Sequence, residues 1–213
     1  MRDEMEDELR LKELDTRNFL INRLRRRPYL AAGGIMAWLR GLYYKLKFRV
    51  LFKRVKIGKY FRVYGKFYIM GPGRVVIGDN VMIQSLLIKP ICFSTDQPGA
   101  EIHIGDHSTF SGTTISCSER VTIGDMCCIA DAYITDSPNH FMAKDRRLRL
   151  DQEPESRPVS IEDNVWISVR ATVLHGVTIG RNSVIGACSL VLDDVPPNSF
   201  AAGIPLRVIR TIQ

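Results

Sequence analysis

The chain has 213 residues, of which 45% are hydrophobic and 25% charged, with ten prolines and 16 glycines. This composition is typical of a globular protein and excludes a disordered, collagen-like or coiled-coil chain. Lysine and arginine outnumber acidic residues by 30 to 23, and Arg40, Lys45 and Lys47 interrupt the most apolar stretch. Because a spanning helix needs about 20 uncharged apolar residues, we do not expect a membrane-crossing segment. The length fits one domain of about 150 residues with an appendage.

The N-terminal residues and the cysteines both favour a cytoplasmic protein. The first residues are charged and lack the apolar core of a secretory signal. The five cysteines are odd in number and include the adjacent pair Cys127 and Cys128, which favours reduced, buried thiols over a disulfide framework. No two cysteines have the C-x-x-C spacing of a zinc site, and no metal is expected.

Residues 1–55 are predicted to form a helical, basic extension. Residues 1–27 carry acids at the start and bases at the end, as a helix dipole prefers, and this helix is expected to end before Pro28. The pair Gly33–Gly34 is expected to separate it from a second apolar and basic segment.

The charge of this region is strongly one-sided. No acid lies between Asp15 and Asp79, whereas 16 basic residues do. A solvated helix face is one interpretation. Because aromatic and aliphatic residues accompany the charges, peripheral contact with the inner face of a membrane through residues 25–59 is another. Nucleic acid is not an expected partner, since no nucleic-acid motif is present.

From Ile57 onward the sequence repeats every six residues. Aliphatic residues start the clearest repeats: Ile161, Ile167, Val173, Ile179, Ile185 and Val191. The residues four positions further on are all small or β-branched: Val165, Ala171, Val177, Ser183, Ser189 and Val195. Triplets similar to Gly-Asp-Asn recur where turns would fall, at 78–80, 105–107, 124–126, 162–164 and 180–182.

This period predicts a mainly β fold, a parallel β-helix with triangular coils. Six residues supply one flat strand and one corner, and three such sides close a coil of 18 residues, the separation of Ile161 from Ile179. The large aliphatic residue points inward, the smaller one fits the corner, and Gly or Asn tolerates the left-handed backbone there. Stacked coils then bury one continuous aliphatic column.

Four motifs carry a resemblance to a known family. They are V-W-I at 165–167, T-V-L-H-G-V-T-I-G at 172–180, V-P-P at 195–197 and A-G-I-P-L-R-V-I at 202–209. With them, residues 57–210 resemble the hexapeptide-repeat acyltransferases, especially galactoside and maltose O-acetyltransferases and the O-acetyltransferases of bacterial surface polysaccharides. The resemblance implies a left-handed β-helix, although parallel crossovers are generally right-handed, and assembly as a homotrimer.

Breaks in the repeat predict where loops leave the β-helix. Ile123 and Ile161 lie 38 residues apart, which is one coil with about 20 surplus residues. We therefore expect a protruding, charged loop over 141–160, and loops on repeat folds are often functional. The predicted organisation is an extension over 1–55, a β-helix over 56–198 and a C-terminal tail over 199–213.

His140 lies at the root of this loop and is the expected catalytic residue. The resemblance implies that it is the general base, which takes a proton from a sugar hydroxyl. Asp136, four residues earlier, is expected to orient its ring as carboxylates do in acid–base pairs. Asn139 and Gly112 are the expected substrate-binding positions. Gly112 stands where galactoside-type enzymes carry an asparagine, so the contact there would come from a backbone N–H.

The resemblance also implies acetyl-CoA as acyl donor, bound in the groove between neighbouring protomers. Trp166 matches a position that lines this groove, and Ser168 and Ala187 match positions whose backbone contacts the pantetheine arm. Arg207 and Arg210 match the basic tail that meets the nucleotide phosphates. Asp193–Asp194 replaces a lysine that similar enzymes often carry, so one phosphate contact is expected to be missing.

The expected activity is O-acetylation of a sugar in a cell-surface polysaccharide or its lipid-linked precursor, and three alternatives stay open. The first is N-acetylation of a nucleotide-linked amino sugar, since the same base and donor serve an amine. The second is a zinc enzyme similar to γ-carbonic anhydrase, with ligands among His103, His107 and His140. The third is a non-catalytic trimeric scaffold at a membrane surface. His175 is expected to be structural.

Overall fold

The computed structural model describes residues 28–85, 89–141, 143–145 and 155–213. The predicted helix over 1–27 and part of the predicted loop lie outside these residues. The first described element is α1 (Pro28–Leu51), and the strands that follow wind into a prism with three faces.

The prism has faces A, B and C, each a sheet of stacked parallel strands. Face A contains β1 (Val55–Ile57), β4 (Arg74–Ile77), β7 (Glu101–Ile104), β10 (Arg120–Ile123), β13 (Val159–Ile161) and β16 (Thr178–Ile179). Face B contains β2 (Arg62–Tyr64), β5 (Met82–Gln84), β8 (Thr109–Ser111), β11 (Cys128–Ala130), β14 (Trp166–Ile167), β17 (Val184–Ile185), β19 (Ser199–Ala202) and β20 (Arg207–Thr211). Face C contains β3 (Phe67–Met70), β6 (Ile91–Thr95), β9 (Thr114–Cys117), β12 (Tyr133–Thr135), β15 (Thr172–Val173) and β18 (Leu190–Val191).

The register confirms the predicted repeat. The isoleucines that were expected to start successive coils stand directly above one another on face A: Ile57, Ile77, Ile104, Ile123, Ile161 and Ile179. The small residues four positions after each C-terminal repeat start are buried, as predicted. The aliphatic column forms because alternate side chains of each strand point into the narrow interior of the prism.

The corner between faces A and B shows why the Gly-Asp-Asn-like triplets recur. Asn164, Asn182 and Asn198 adopt left-handed φ of 55°, 58° and 57°. Their side-chain amides form a ladder in which Asn164 donates to Asn182 at 3.0 Å and Asn182 donates to Asn198 at 2.8 Å. Asn is one of the few non-glycine residues that accept this conformation, so the triplet fixes the corner and links consecutive coils.

Helix α1 closes the N-terminal end of the prism. Phe48 packs edge to face against Phe67, Phe67 against Phe93 and Phe93 against Phe110, at centroid distances of 6.3, 5.2 and 5.5 Å. The backbone N–H of Phe67 donates to the hydroxyl of Tyr44 at 3.3 Å. Because these aromatic residues lie in the first coils, the helix extends the core beyond the open end of the strands.

The predicted break at Gly33–Gly34 is wrong, because α1 continues through both glycines. Gly33 is exposed and Gly34 is buried within this continuous helix. None of the helical residues that the structure describes forms a segment with the length and hydropathy needed to span a bilayer.

The C-terminal boundary also differs from the expectation of a tail from residue 199. β19 pairs in parallel with β17 and so continues face B, and β20 then folds back antiparallel to β19. All five cysteines are free, with Cys117 and Cys127 buried and Cys128 and Cys188 exposed. The expectation of buried thiols therefore holds for only some of them.

Candidate functional site

His140 is exposed at the corner between faces C and A, just after β12. The turn before it is built from short polar side chains. The Thr135 hydroxyl donates to the carbonyl of Ser137 at 2.9 Å, and the Ser137 hydroxyl accepts the Asn139 N–H at 3.1 Å. Asn139 itself has a left-handed φ of 60°. This turn sends the chain out of the prism and leaves the imidazole at the surface.

Asp136 anchors this turn from inside the prism. Its side chain is fully buried, and its carboxylate accepts the backbone N–H groups of Ser118, Glu119 and Arg120 at 2.7, 2.8 and 2.7 Å. Three charge-assisted hydrogen bonds offset the cost of burying the carboxylate. The corner of the preceding coil is thereby tied to the residue that begins the turn towards His140.

The sequence predicts that Asp136 orients the ring of His140, whereas its carboxylate binds these three backbone N–H groups. Among the residues that the structure describes, no hydrogen bond joins its carboxylate to His140. The reason is geometric, since the side chain turns inward where the backbone of the coil below presents three N–H groups. Spacing along the sequence could not reveal those donors. Asp136 therefore influences the position of His140 only through the backbone of the turn that joins the two residues.

The thiol of Cys117 belongs to the same buried cluster. Its Sγ donates to Asp136 Oδ2 at 3.4 Å. Burial raises the pKa of the Cys117 thiol, and the Asp136 carboxylate raises this pKa further. The thiol therefore stays protonated, which suits it to donate to the carboxylate and makes it a poor nucleophile.

The chain returns to the prism next to the point where it left. The Arg157 N–H donates to the carbonyl of Asp136 at 2.8 Å, so the two ends of the excursion meet. The Arg157 guanidinium reaches Nδ1 of His175 in the next coil, with Nη2 at 2.7 Å. His175 thus contacts the base of the loop.

Sequence reasoning missed part of the surroundings of this corner. The carboxylate of Asp96, two coils below the Asp136 turn, accepts the hydroxyl of Ser118, one coil below it, at 3.1 Å. Glu101, which follows Asp96 at the same corner, forms an ion pair at 3.2 Å with Arg74 of the coil beneath. Counting positions from the isoleucine that starts each coil would place Asp96 and Ser118 at the same corner. The six-residue repeat therefore contained the information needed to find both residues.

The residues expected to bind the acyl donor lie on face B. Trp166 is half exposed, and its neighbours in the adjacent coils are Cys128 and Val184. Phe200 continues this row beyond Val184, and the guanidinium of Arg210 lies 5.7 Å from its ring centre. These residues form a continuous outward strip that runs towards the C-terminal end.

The other expected donor positions border the same face. Ser168 follows β14, and Ala187 is exposed after β17, both where face B turns towards face C. Arg207 is exposed at the start of β20. Gly112 lies at the same B–C corner two coils below Ser168, with a φ of 63°. The structure therefore gathers the donor positions and Gly112 on one side of the prism.

His140 and the face B strip lie on opposite sides of one chain. The C–A corner is the corner of a triangular coil that does not border face B. His140, Asn139 and Asp136 therefore cannot meet Trp166 within the same prism. Only two copies of the chain placed side by side could bring the two sets together.

The three histidines of the zinc alternative are also dispersed. His103 is exposed on β7, and His107 lies at the A–B corner, where its Nδ1 is 2.8 Å from the side-chain nitrogen of Asn80. Both face outward, as predicted. Within the described part of the chain, no group of three or more His, Cys, Asp or Glu side chains is arranged to hold a metal ion.

Comparison with known proteins defines the class of this fold. Residues 158–193 match the family described as bacterial transferase hexapeptide (six repeats). A hexapeptide-repeat-containing acetyltransferase from Vibrio cholerae superposes with a TM-score of 0.52 at 25% identity, covering 74% of each chain. The prism is thus a left-handed parallel β-helix of hexapeptide repeats, and the resemblance to hexapeptide-repeat acyltransferases is confirmed.

Particular relatives extend this similarity beyond the repeats. The chain is 41% identical over 141 residues to galactoside O-acetyltransferase of Escherichia coli (strain K12), covering 64% of this chain and 63% of the relative. It is 36% identical over 138 residues to galactoside O-acetyltransferase of Lactococcus lactis, covering 64% and 62%. The matched regions thus span a little under two thirds of the length of these relatives.

An N-acyltransferase from Bacillus cereus shares the fold. It was solved in complex with dTDP-4-amino-4,6-dideoxyglucose and coenzyme A, and it superposes with a TM-score of 0.60 at 22% identity, covering 74% of this chain and 84% of the other.

Proposed function

We propose that the protein is an acetyl-CoA-dependent O-acetyltransferase whose acceptor is a sugar hydroxyl of a cell-surface polysaccharide or its lipid-linked precursor. The observation that carries this proposal is the position of His140. It is exposed on a turn anchored by the buried Asp136, in a chain 41% identical to a galactoside O-acetyltransferase. We propose that it works in the cytoplasm, at the inner face of the membrane.

The chemistry requires one base. A neutral imidazole nitrogen of His140 takes the proton of the acceptor hydroxyl while that oxygen attacks the thioester carbonyl of acetyl-CoA. The tetrahedral intermediate collapses by breaking the carbon–sulfur bond, and the leaving coenzyme A sulfur takes the proton from the imidazolium. The products are the acetyl ester and free coenzyme A, and His140 returns to its starting state.

The separation of His140 from face B supports a site shared between protomers. Trp166, Ser168 and Ala187 of one chain would border the acetyl-pantetheine arm, and Arg207 and Arg210 would meet the phosphates. His140 of the neighbouring chain would then face the thioester. A homotrimer repeats this pairing at each of its seams, which is consistent with an oligomer of closed symmetry.

The activity is tested by release of free thiol from acetyl-CoA across a panel of sugar acceptors, free and lipid-linked. His140→Ala should lower turnover by about 10²–10⁴. His107→Asn is the matched control, because asparagine suits the left-handed corner at that position. If His140→Ala turns over at the wild-type rate, the proposed base is wrong. If the wild-type protein has no turnover with any acceptor, the scaffold alternative replaces the proposal.

A mixing experiment tests the shared site. With acetyl-CoA well below the raised KM of Arg210→Glu, neither His140→Ala nor Arg210→Glu should retain more than a small fraction of wild-type activity alone. When the two are co-expressed and purified as mixed oligomers, some seams combine an intact His140 with an intact face B, and activity should return. A monomer in light scattering, or mixed oligomers without recovered activity, would rule out a shared site.

The same assay separates the remaining chemical alternatives. Amino-sugar nucleotides in the panel test N-acetylation, which transfers the acetyl group to an amine by the same proton transfer. Metal analysis of the purified protein tests the zinc enzyme, and in that case His107→Asn would lower the metal content.

A further inference from the structure

Helix α1 carries two apolar stripes on opposite sides. The stripe that faces the prism has residues spaced by three and four: Gly34, Ala37, Gly41, Tyr44 and Phe48. A second stripe has the same kind of spacing and is exposed: Ile35, Leu39, Leu42, Leu46 and Val50. At about 100° per residue the two stripes point in roughly opposite directions. Within the described ranges of the chain, the prism therefore packs on one side of an apolar helix and the other side is exposed.

The exposed stripe is unusual in extent and composition. Leu39 is 46% exposed and Val50 is 67% exposed, and both lie on a helix of 24 residues, about 36 Å long. Single exposed apolar residues are common, whereas a continuous apolar strip of this length is typical of an interaction surface.

Basic side chains flank this stripe on both sides. Arg40 and Lys47 lie along one edge, and Lys45 and Arg49 lie along the other. No acid occurs from Pro28 to Gly78, whereas the chain outside residues 16–78 has more acids than bases. The positive charge is therefore concentrated at the end of the prism that α1 covers, which fits a partner with a negatively charged surface.

A cavity at the edge of the stripe also combines apolar walls with basic side chains. It has a volume of about 270 Å³ between α1 and the first coil, and Trp38, Leu42 and Tyr60 are among the apolar residues that line it. Lys45 and Lys59 also border it. The Lys45 ammonium donates to the carbonyl of Gly58 at 2.9 Å, which fixes it beside the cavity. Apolar walls beside two ammonium groups suit the phosphate and glycerol region of a lipid.

We infer that α1 lies in the plane of a bilayer rich in anionic phospholipid, with the stripe Ile35–Val50 facing the acyl chains and its basic edges at the phosphates. This goes beyond the proposed peripheral location, because it assigns the face, the lipid class and the orientation. It does not depend on the acetyl-transfer chemistry. In-plane helices with an apolar face and basic flanks bind membranes in this way.

The orientation also positions the catalytic corner. Since α1 closes the end of the prism, successive coils lie in successive planes above the bilayer. His140 follows the fourth coil, which places it on the order of 25 Å from the lipid surface, given about 4.8 Å per coil and about 10 Å for the helix. To reach His140, the sugar of a lipid-linked acceptor would have to lie at this distance from the lipid surface.

Vesicle flotation with the full-length protein tests this inference. The wild-type protein should float with vesicles that contain about one third phosphatidylglycerol, bind at least about tenfold more weakly to phosphatidylcholine alone, and be released by about 0.5 M NaCl. The double variant Leu39→Glu/Leu46→Glu should bind at least about tenfold more weakly than wild type. Leu192→Glu is the matched control, because Leu192 is equally exposed, at 46%, far from α1.

Fluorescence and hydrodynamic measurements make the test independent of loss of folding. In Trp166→Phe, the remaining Trp38 emission should shift to the blue when anionic vesicles are added. Light scattering should give the same oligomeric state for the double variant and the wild type. The inference is overturned if wild type does not float with anionic vesicles, if Leu192→Glu loses binding equally, or if the double variant changes oligomeric state, which would show that a second copy covers the stripe.

Discussion

The carboxylate of Asp136 accepts the backbone N–H of Arg120 at 2.7 Å, and this bond joins two consecutive coils beneath the turn that carries His140. Because Asp136 also binds the two preceding N–H groups, it holds the corner of the coil below as a helix cap holds the first turn of a helix. The corner that carries His140 is thus held by a buried charge.

Asp136→Asn should weaken both the fold and the activity. The amide retains one oxygen and aims its NH₂ at backbone donors, so at least one buried N–H loses its acceptor, at a cost of about 1–3 kcal/mol. Urea unfolding measures this loss, and turnover should fall because the turn before His140 is no longer held. Asp96→Asn is the control at the same corner, since Asp96 is exposed. Equal effects of the two substitutions would contradict the anchoring role.

Arg210→Ala should raise the KM for acetyl-CoA by roughly ten- to a hundredfold with a smaller effect on turnover, because charge-assisted hydrogen bonds contribute about 1.5–3 kcal/mol. Steady-state kinetics with varied acetyl-CoA measures the change. Arg181→Ala provides the control, since Arg181 lies at the A–B corner and its exposed guanidinium is 3.7 Å from the carboxylate of Glu162. An unchanged KM in Arg210→Ala would remove this residue from the donor site.

Gly41→Ala should displace α1 from the first coil. A Cβ at this position would lie 1.8 Å from the carbonyl oxygen of Phe61, which is backbone and cannot move aside. Gly33→Ala is the matched control, because a Cβ there meets nothing within 4 Å, and it should stabilise the helix by up to about 1 kcal/mol. Thermal unfolding and amide exchange in α1 measure both effects. A Gly41→Ala variant as stable as Gly33→Ala would refute the close packing.

Cys127 should make stability depend on pH in the alkaline range. Burial raises the pKa of its thiol to about 11, whereas the thiol of the unfolded chain ionises near pH 9. A raised pKa in the folded state contributes stability that is complete below about pH 9 and is lost as the pH rises towards 11. The free energy of unfolding should therefore fall more steeply in wild type than in Cys127→Ala across this range.

Urea unfolding at several pH values measures this slope. Cys188→Ala serves as control because Cys188 is exposed, and its slope should match that of wild type. If Cys127→Ala loses stability with pH as steeply as wild type, the buried thiol does not account for the alkaline loss.

The sequence by itself determined the β-helix. Isoleucine at each coil start and asparagine at several A–B corners act locally, through inward burial and a left-handed backbone, so the sequence alone shows them. The departure of the chain after Thr135 was visible for the same reason, as a break in spacing. The family resemblance then supplied roles for His140, Trp166 and Arg210.

Only the tertiary structure decided which groups meet. Asp136 turned to three N–H groups of the coil below, α1 continued through Gly33–Gly34, and His140 came to lie opposite face B. The inward and outward apolar stripes of α1 could be told apart only in the structure, where the prism packs on one of them. These outcomes depend on which surfaces the winding brings together across many residues, and local spacing carries no information about such long-range packing.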